Sequence, residues 1–148
     1  MSERDVFAYG IEIAEQLEKL HTAGYVHCDL KPDNVMVRAD GHATLIDFGL
    51  SHKFMDKRGH HIPYEKAPNF KGTYHFCSKN TLERIRQTRR DDMESLFYTL
   101  MRLCNVQMPW VPDQNKEKAQ YLFAVKTRKI AMTDFEVMRV TLPLSNLL

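Results

Sequence analysis

The chain has few of the residues that mark specialised scaffolds. Its 148 residues include only three cysteines, Cys28, Cys77 and Cys104, with no C-x-x-C pair among them. An odd, scattered set excludes a disulfide framework or a Cys-rich zinc site and fits a reducing compartment. Six glycines and six prolines are too few for a fibrous or low-complexity protein. Charge of either sign is nearly cancelled, with 21 Lys and Arg against 19 Asp and Glu. That excludes a polybasic chain, though not a local basic patch. No apolar run approaches the roughly 18 residues of a membrane span. Ser2-Glu3-Arg4-Asp5 is not followed by the apolar core of a signal segment. Internal repeats and flexible linkers are missing as well. What remains, 43% hydrophobic and 27% charged, is the composition of one globular domain.

Hydrophobic spacing predicts mostly helix. Ser2 and Asp5 have the spacing of a capping box, and Val6, Gly10, Ile13, Leu17 and Leu20 follow at helical intervals to a stop at Gly24. This predicts an amphipathic helix over 3–23, with Glu12, Glu15, Glu18 and Lys19 left to water. An irregular segment with Pro32 comes next. Two β-type runs, 35–37 and 43–46, then flank Asp40-Gly41, a strong hairpin signal. With Asp40-Gly41 as a two-residue loop, Asn34 faces Asp47; a longer loop slips the register by one and still leaves them close. Residues 48–79 carry Gly59, Pro63, Pro68 and Gly72 with little periodicity, a length that usually means function. Asp91-x-x-Glu94 predicts the start of a mostly buried helix bearing Met93, Leu96, Phe97, Leu100, Leu103 and Cys104. Pro109-Trp110-Val111-Pro112 breaks it. Asp113 is placed as the cap of a helix to Thr127, and Thr133 as the cap of a short one over 134–140. The leucines of the segment 142–148 need a surface to pack on, as expected of a chain cut short of its own core.

The chemistry concentrates in His27-Cys28-Asp29-Leu30-Lys31-Pro32-Asp33-Asn34 and in Asp47-Phe48-Gly49. Any one of these polar residues alone is an ordinary turn residue; their joint spacing carries the weight. They match the pattern H-R-D-L-x-x-x-N followed by D-F-G at every position but one, and that pattern serves phosphoryl transfer. An Asp within reach of a hydroxyl can accept its proton. The amide oxygen of Asn34 and the carboxylate of Asp47 are hard ligands of the kind Mg²⁺ takes alongside phosphate oxygens. Lys31 brings a positive charge to the transferring group.

On these residues the chain resembles the large lobe of a eukaryotic protein kinase. Lys31-Pro32 resembles the serine/threonine class. His61-Ile62-Pro63-Tyr64, Gly72-Thr73, Ser78-Lys79-Asn80 and Arg89-Arg90-Asp91-Asp92-Met93-Glu94-Ser95-Leu96 resemble the casein kinase 1 group, and Ser95-Leu96-Phe97-Tyr98 its tau-tubulin kinase branch. The resemblance implies a mainly α fold with a small β-hairpin, the large lobe without its small lobe. It implies one partial kinase domain over 1–148: a catalytic loop at 27–34, the hairpin at 35–46, an activation segment at 47–80 and a helical remainder at 81–148. The activity implied is transfer of the ATP γ-phosphate to Ser/Thr hydroxyls of a protein substrate, with ATP and Mg²⁺ as cofactors. By position, Asp29 would be the base and Lys31 its phosphate-contacting partner. Asn34 and Asp47 would hold Mg²⁺, and Met36 and Ile46 would lie beneath the adenine. Gly49 would let the activation segment turn, Thr73 would bond Asp29 and Lys31, and Asp92 would reach back to the loop backbone. For Met36 a plain core position explains the residue equally well.

Cys28 stands where the pattern has Arg, which argues against control by a phosphorylated activation loop; its thiol is read as packing rather than reactive. His75 replaces an Arg that binds substrate anions in the casein kinase 1 group, so a preference for acidic substrates should be weak. Lys79, Arg84, Arg86, Arg89 and Arg90 are read as a solvated, salt-bridged face rather than a substrate-anion site, and His60-His61 as loop lacking a third metal ligand. No G-x-G-x-x-G loop, strand Lys or partner Glu precedes the first helix, so ATP is expected to meet one wall of a cleft and bind weakly. A catalytically inactive kinase-like interaction module is the alternative. Neither a specific nucleic-acid interface nor a membrane partner is expected, and cytoplasm or nucleus is the expected location.

Overall fold

A computed structural model describes residues 2–112 and 117–141. The first helix, α1, spans Glu3–Thr22. Ser2 caps it as the sequence predicts: its Oγ accepts from the Asp5 N–H at 3.2 Å, and Asp5 Oδ2 accepts from the Ser2 N–H at 2.9 Å. The chain leaves it through Gly24, at φ +86. Val6, Gly10, Ile13 and Leu17 form the buried stripe. Gly10 lets Leu100 pack closely there, since a Cβ would sit 2.9 Å from Leu100 Cδ1 and the leucine side chain would have to shift.

Glu12 is not left to water. Its carboxylate accepts from the Ala43 N–H at 2.6 Å and from the His42 ring at 2.8 Å. Gln16 adds bonds to Ala43 O at 2.9 Å and from the Leu45 N–H at 3.0 Å. Two side chains of α1 therefore satisfy the free edge of strand β3 (Ala43–Leu45), where among the described residues no further strand pairs. The His42 bond, then that of Ala43, lowers the Glu12 pKa, and the bond to Glu12, then its charge, raises that of His42.

Strand β3 pairs antiparallel with β2 (Val35–Val37), but in the slipped register: Val35 faces Leu45 and Val37 faces Ala43. The loop has three residues, 39–41, closed by Arg38 N–H to His42 O at 2.9 Å. Only Gly41 takes a positive φ, +83, so Asp40 stays in ordinary backbone space and the loop lengthens by one. Consequently Asn34 O meets the Ile46 N–H at 2.9 Å, and Asp47, the partner expected from a two-residue loop, lies one residue beyond it.

A second ribbon joins β1 (Tyr25–Val26) to β4 (His52–Lys53), antiparallel. Two-residue strands are too short to leave a periodic signal. The stretch after it is not structureless: Met55 bridges to His61, Lys66 to Ile85, and a short helix α2 covers Lys79–Leu82.

Helix α3 spans Arg89–Leu103 and starts earlier than predicted, from Thr88, whose N–H donates to Asp91 Oδ2 at 2.7 Å. Its buried face holds Asp91, Asp92, Ser95, Leu96, Tyr98, Thr99 and Met101. Met93 and Phe97, expected inside, are 47% and 40% exposed. The polar residues take the inner face because each finds a partner there. Helix α4 covers Lys118–Ala131 and α5 covers Asp134–Thr141, with Thr133 capping through Glu136. The cap expected at Asp113 and the leucines of 142–148 lie outside the described residues.

Three apolar clusters organise the chain. Ile13, Leu17, Leu30, Leu45 and Leu96 form one; Val26, Cys28 and Phe54 form another; Phe76, Tyr98, Met101, Trp110 and Val125 form the third. Leu30 and Cys28 anchor the segment 27–34 to two clusters at once, so the loop between them has little freedom. No described helix is long and apolar enough to cross a membrane.

Candidate active site

The loop 27–34 is held from beneath by Asp92, whose side chain is 1% exposed. Its Oδ2 accepts from the His27 N–H at 2.8 Å and from His21 Nε2 at 2.8 Å, and its Oδ1 accepts from the Cys28 N–H at 2.9 Å. Cys28 pays for this with φ +73, a strained value for a residue with a Cβ. From the other side, His27 Nε2 faces the Ile46 carbonyl at 3.1 Å, while Nδ1 faces the Asp29 N–H at 3.3 Å. The imidazole thereby joins the loop to the end of the hairpin.

Three of the expected site residues converge on a fourth, Asp29. Thr73 Oγ1 donates to Asp29 Oδ1 at 2.7 Å, and Lys31 Nζ lies 2.9 Å from Asp29 Oδ2. Lys31 also reaches Thr73 Oγ1 at 3.4 Å. Asn34 Nδ2 donates to Asp29 O at 2.8 Å and to Asp29 Oδ2 at 3.3 Å. The bond to Asp29, ahead of the more distant charges of Asp33 and Asp47, raises the Lys31 pKa. Asp29 Oδ1, which among the described residues Thr73 alone engages, keeps a lone pair for an incoming hydroxyl.

Asp47 stands at the open end of the hairpin with φ +62. The turn out of the hairpin is therefore made at Asp47, and not at Gly49 as expected. Gly49 matters instead for close approach: its N–H donates to Asp47 Oδ1 at 3.1 Å, and a Cβ on it would lie 3.1 Å from that oxygen. Met36 is 47% exposed beside a half-buried Ile46, so it is no core residue. Phe48 is 50% exposed at the same end.

A protein-family model, protein kinase domain, matches residues 1–143. The chain belongs to the protein kinase family. Kinases of this family generally use ATP and Mg²⁺, and the donor set here suits them. Asn34 Oδ1 receives no hydrogen bond from any described residue, because the amide is turned to spend its N–H groups on Asp29. Asp47 adds an exposed carboxylate, giving two hard oxygen ligands.

The departures from the pattern have structural substitutes in this kinase domain. Cys28 is 3% exposed; its Sγ lies 3.3 Å from His52 Nδ1, and burial, then the Asp92 charge, pushes its pKa up. The thiol is a packing group. His52 faces the Gln87 carbonyl through Nε2 at 3.2 Å, and burial lowers its pKa. Burial does the same to His75, which favours its neutral form. The basic run is engaged piecemeal: Arg86 pairs with Glu65, Lys79 with Asp134, Arg84 donates to Pro68 O, and Arg89 lies 5.1 Å from the Phe54 ring centroid. His60 and His61 belong to no metal-ligand group among the described residues.

Sequence reasoning overlooked Gly72 as a steric requirement and Lys129 altogether. At φ +113, a Cβ on Gly72 would lie 2.9 Å from Cys28 O. Lys129 is fully buried. Its place four residues after Val125 on the apolar face of α4 was the available signal.

Proposed function

We propose that this kinase domain transfers the γ-phosphate of ATP to serine or threonine hydroxyls of proteins, in the manner of the casein kinase 1 group and its tau-tubulin kinase branch. The observation that carries the proposal is the grip on Asp29: one oxygen bonded by Thr73 at 2.7 Å, the other paired with Lys31 at 2.9 Å. A carboxylate so oriented, in a loop fixed from both faces, is suited to accept the proton of a substrate hydroxyl. Lys31 lies beside it with a cation for the charge developing at the transferring group. Asn34 and Asp47 would hold Mg²⁺, and Met36, Ile46 and Phe48 offer apolar surface for the adenine. Bound ATP and Mg²⁺ supply the phosphoryl group and neutralise its oxygens.

The casein kinase 1 reading draws support from Ser78 in the Ser-x-Asn element. Its Oγ donates to Asp91 Oδ1 at 2.6 Å, tying the end of the activation segment to α3 beside Asp92. A neutral His75 removes a cation from the substrate face and favours substrates without an acidic group there.

The test is transfer of labelled phosphate from ATP with Mg²⁺ to a peptide pool containing Ser, Thr and Tyr. It is run on the full chain, alone and with a casein-kinase-type small lobe joined ahead of Met1. Label on Ser or Thr, lost in Asp29→Asn, is expected. Transfer no greater than that of Asp29→Asn in both forms favours the inactive interaction module.

A further inference from the structure

Helix α4 turns Tyr121, Val125 and Lys129 to the third apolar cluster at intervals of four residues. Lys129 is 0% exposed. Among the described residues no carboxylate lies within ion-pair distance of it. Its Nζ instead donates to His75 O at 2.9 Å and to Cys77 O at 2.6 Å. The ammonium lies 4.0 Å from the Tyr98 ring centroid and 4.5 Å from that of Trp110. Trp110 Nε1 also donates to His75 O, at 3.1 Å. Burial lowers the Lys129 pKa to about 8, against smaller raising influences from Cys77 and Glu94. Glu94 is itself occupied by the Tyr98 hydroxyl at 2.7 Å and by the Lys79 N–H at 3.0 Å.

An unpaired ammonium is costly to bury, so the two carbonyls it serves are the informative part. They belong to a tight turn. Thr73 O accepts from the Phe76 N–H at 2.9 Å and from the Cys77 N–H at 2.8 Å, so the carbonyls of 75 and 77 project from the turn that begins at Thr73. Thr73 in turn donates its hydroxyl hydrogen to Asp29. An aliphatic side chain at 129 would leave carbonyl oxygens in an aromatic pocket short of donors.

We infer that Lys129 is a positioning residue for the proposed phosphotransfer, acting through the turn 73–77 to set the hydrogen bond between Thr73 and Asp29. The inference rests on Asp29 being the base of the proposed function. Lys129 touches no reacting atom; it fixes the carbonyls that fix the turn. Any side chain that fills the same volume without donors keeps the packing and loses the alignment.

Lys129→Met, of similar length and without donors, is the variant to make, in the parent and in Thr73→Val. Hydrogen exchange should quicken about tenfold or more at the Phe76 and Cys77 amides while α1 amides stay protected. The turnover number should fall about tenfold or more, with the KM for ATP unchanged. In the Thr73→Val background the same change should cost little more, because both substitutions break one alignment. A purely structural role would instead add its full loss in both backgrounds, and that result overturns the inference. So does unchanged exchange at 76 and 77 in a protein whose turnover depends on Asp29. Should the parent show no transfer above Asp29→Asn, the proposed function fails, and this inference falls with it. If Lys129→Met does not fold, Lys129→Gln, which keeps a donor but cannot reach both carbonyls, carries the same comparisons.

Discussion

Replacing Asp92 by Asn tests how the catalytic loop is held. The two side chains have nearly the same shape, so packing against α3 is preserved and only hydrogen-bonding changes. In the parent, Oδ2 serves two donors, His27 N–H and the His21 ring, and Oδ1 serves the Cys28 N–H. An asparagine keeps its oxygen where the two donors meet and turns its NH₂ toward the Cys28 N–H, donor against donor. One charge-assisted bond is lost and one buried N–H is left without an acceptor, a cost of about 3 kcal/mol. Cys28, already held at φ +73, loses the contact that offsets its strain. With a urea slope of about 1–3 kcal/mol/M, the unfolding midpoint should drop by about 1–3 M without a change in slope. Asp92→Ala should do at least as much, since it strips the acceptor from all three donors. Urea denaturation followed by circular dichroism reads the result. A midpoint for Asp92→Asn within about 0.3 M of the parent would refute the reasoning that this buried carboxylate anchors the loop.

Gly72→Ala should lower phosphotransfer about tenfold or more, because its Cβ would meet the Cys28 carbonyl at 2.9 Å and push the neighbouring Thr73 off Asp29; parent-like activity in a kinetic assay would contradict that. The stability advantage of the parent over Lys129→Met should grow as pH rises from about 8 toward 10.5. Between those values the unfolded chain still holds the Lys129 proton and the folded chain has released it, which is worth about 1.4 kcal/mol per pH unit. The comparison with Lys129→Met cancels the opposing contribution of Tyr98, whose pKa burial raises, while loss of the Lys129 charge lets the Cys77 pKa rise further in the variant and so adds to the difference. Chemical denaturation of both proteins at several pH values measures it, and a difference that stays flat or shrinks would contradict it.

Short-range rules made much of this protein legible from its residues. Ser2 and Asp5 close a capping box wherever they lead a helical run, and Gly24 ends that run because a residue without Cβ accepts φ +86. Asp40-Gly41 demanded a hairpin, and the loop from His27 to Asn34 displayed its chemistry in plain spacing. Tertiary structure decided the rest. It chose the three-residue loop that set Ile46, and not Asp47, against Asn34. It turned Met93 and Phe97 outward and drew Asp91, Asp92, Ser95 and Thr99 inward. It gave Glu12 a strand edge to complete and Lys129 a pair of carbonyls to bind. The common reason is that local backbone preference acts over a few residues. Whether a polar side chain can leave water depends on partners that arrive from far along the chain.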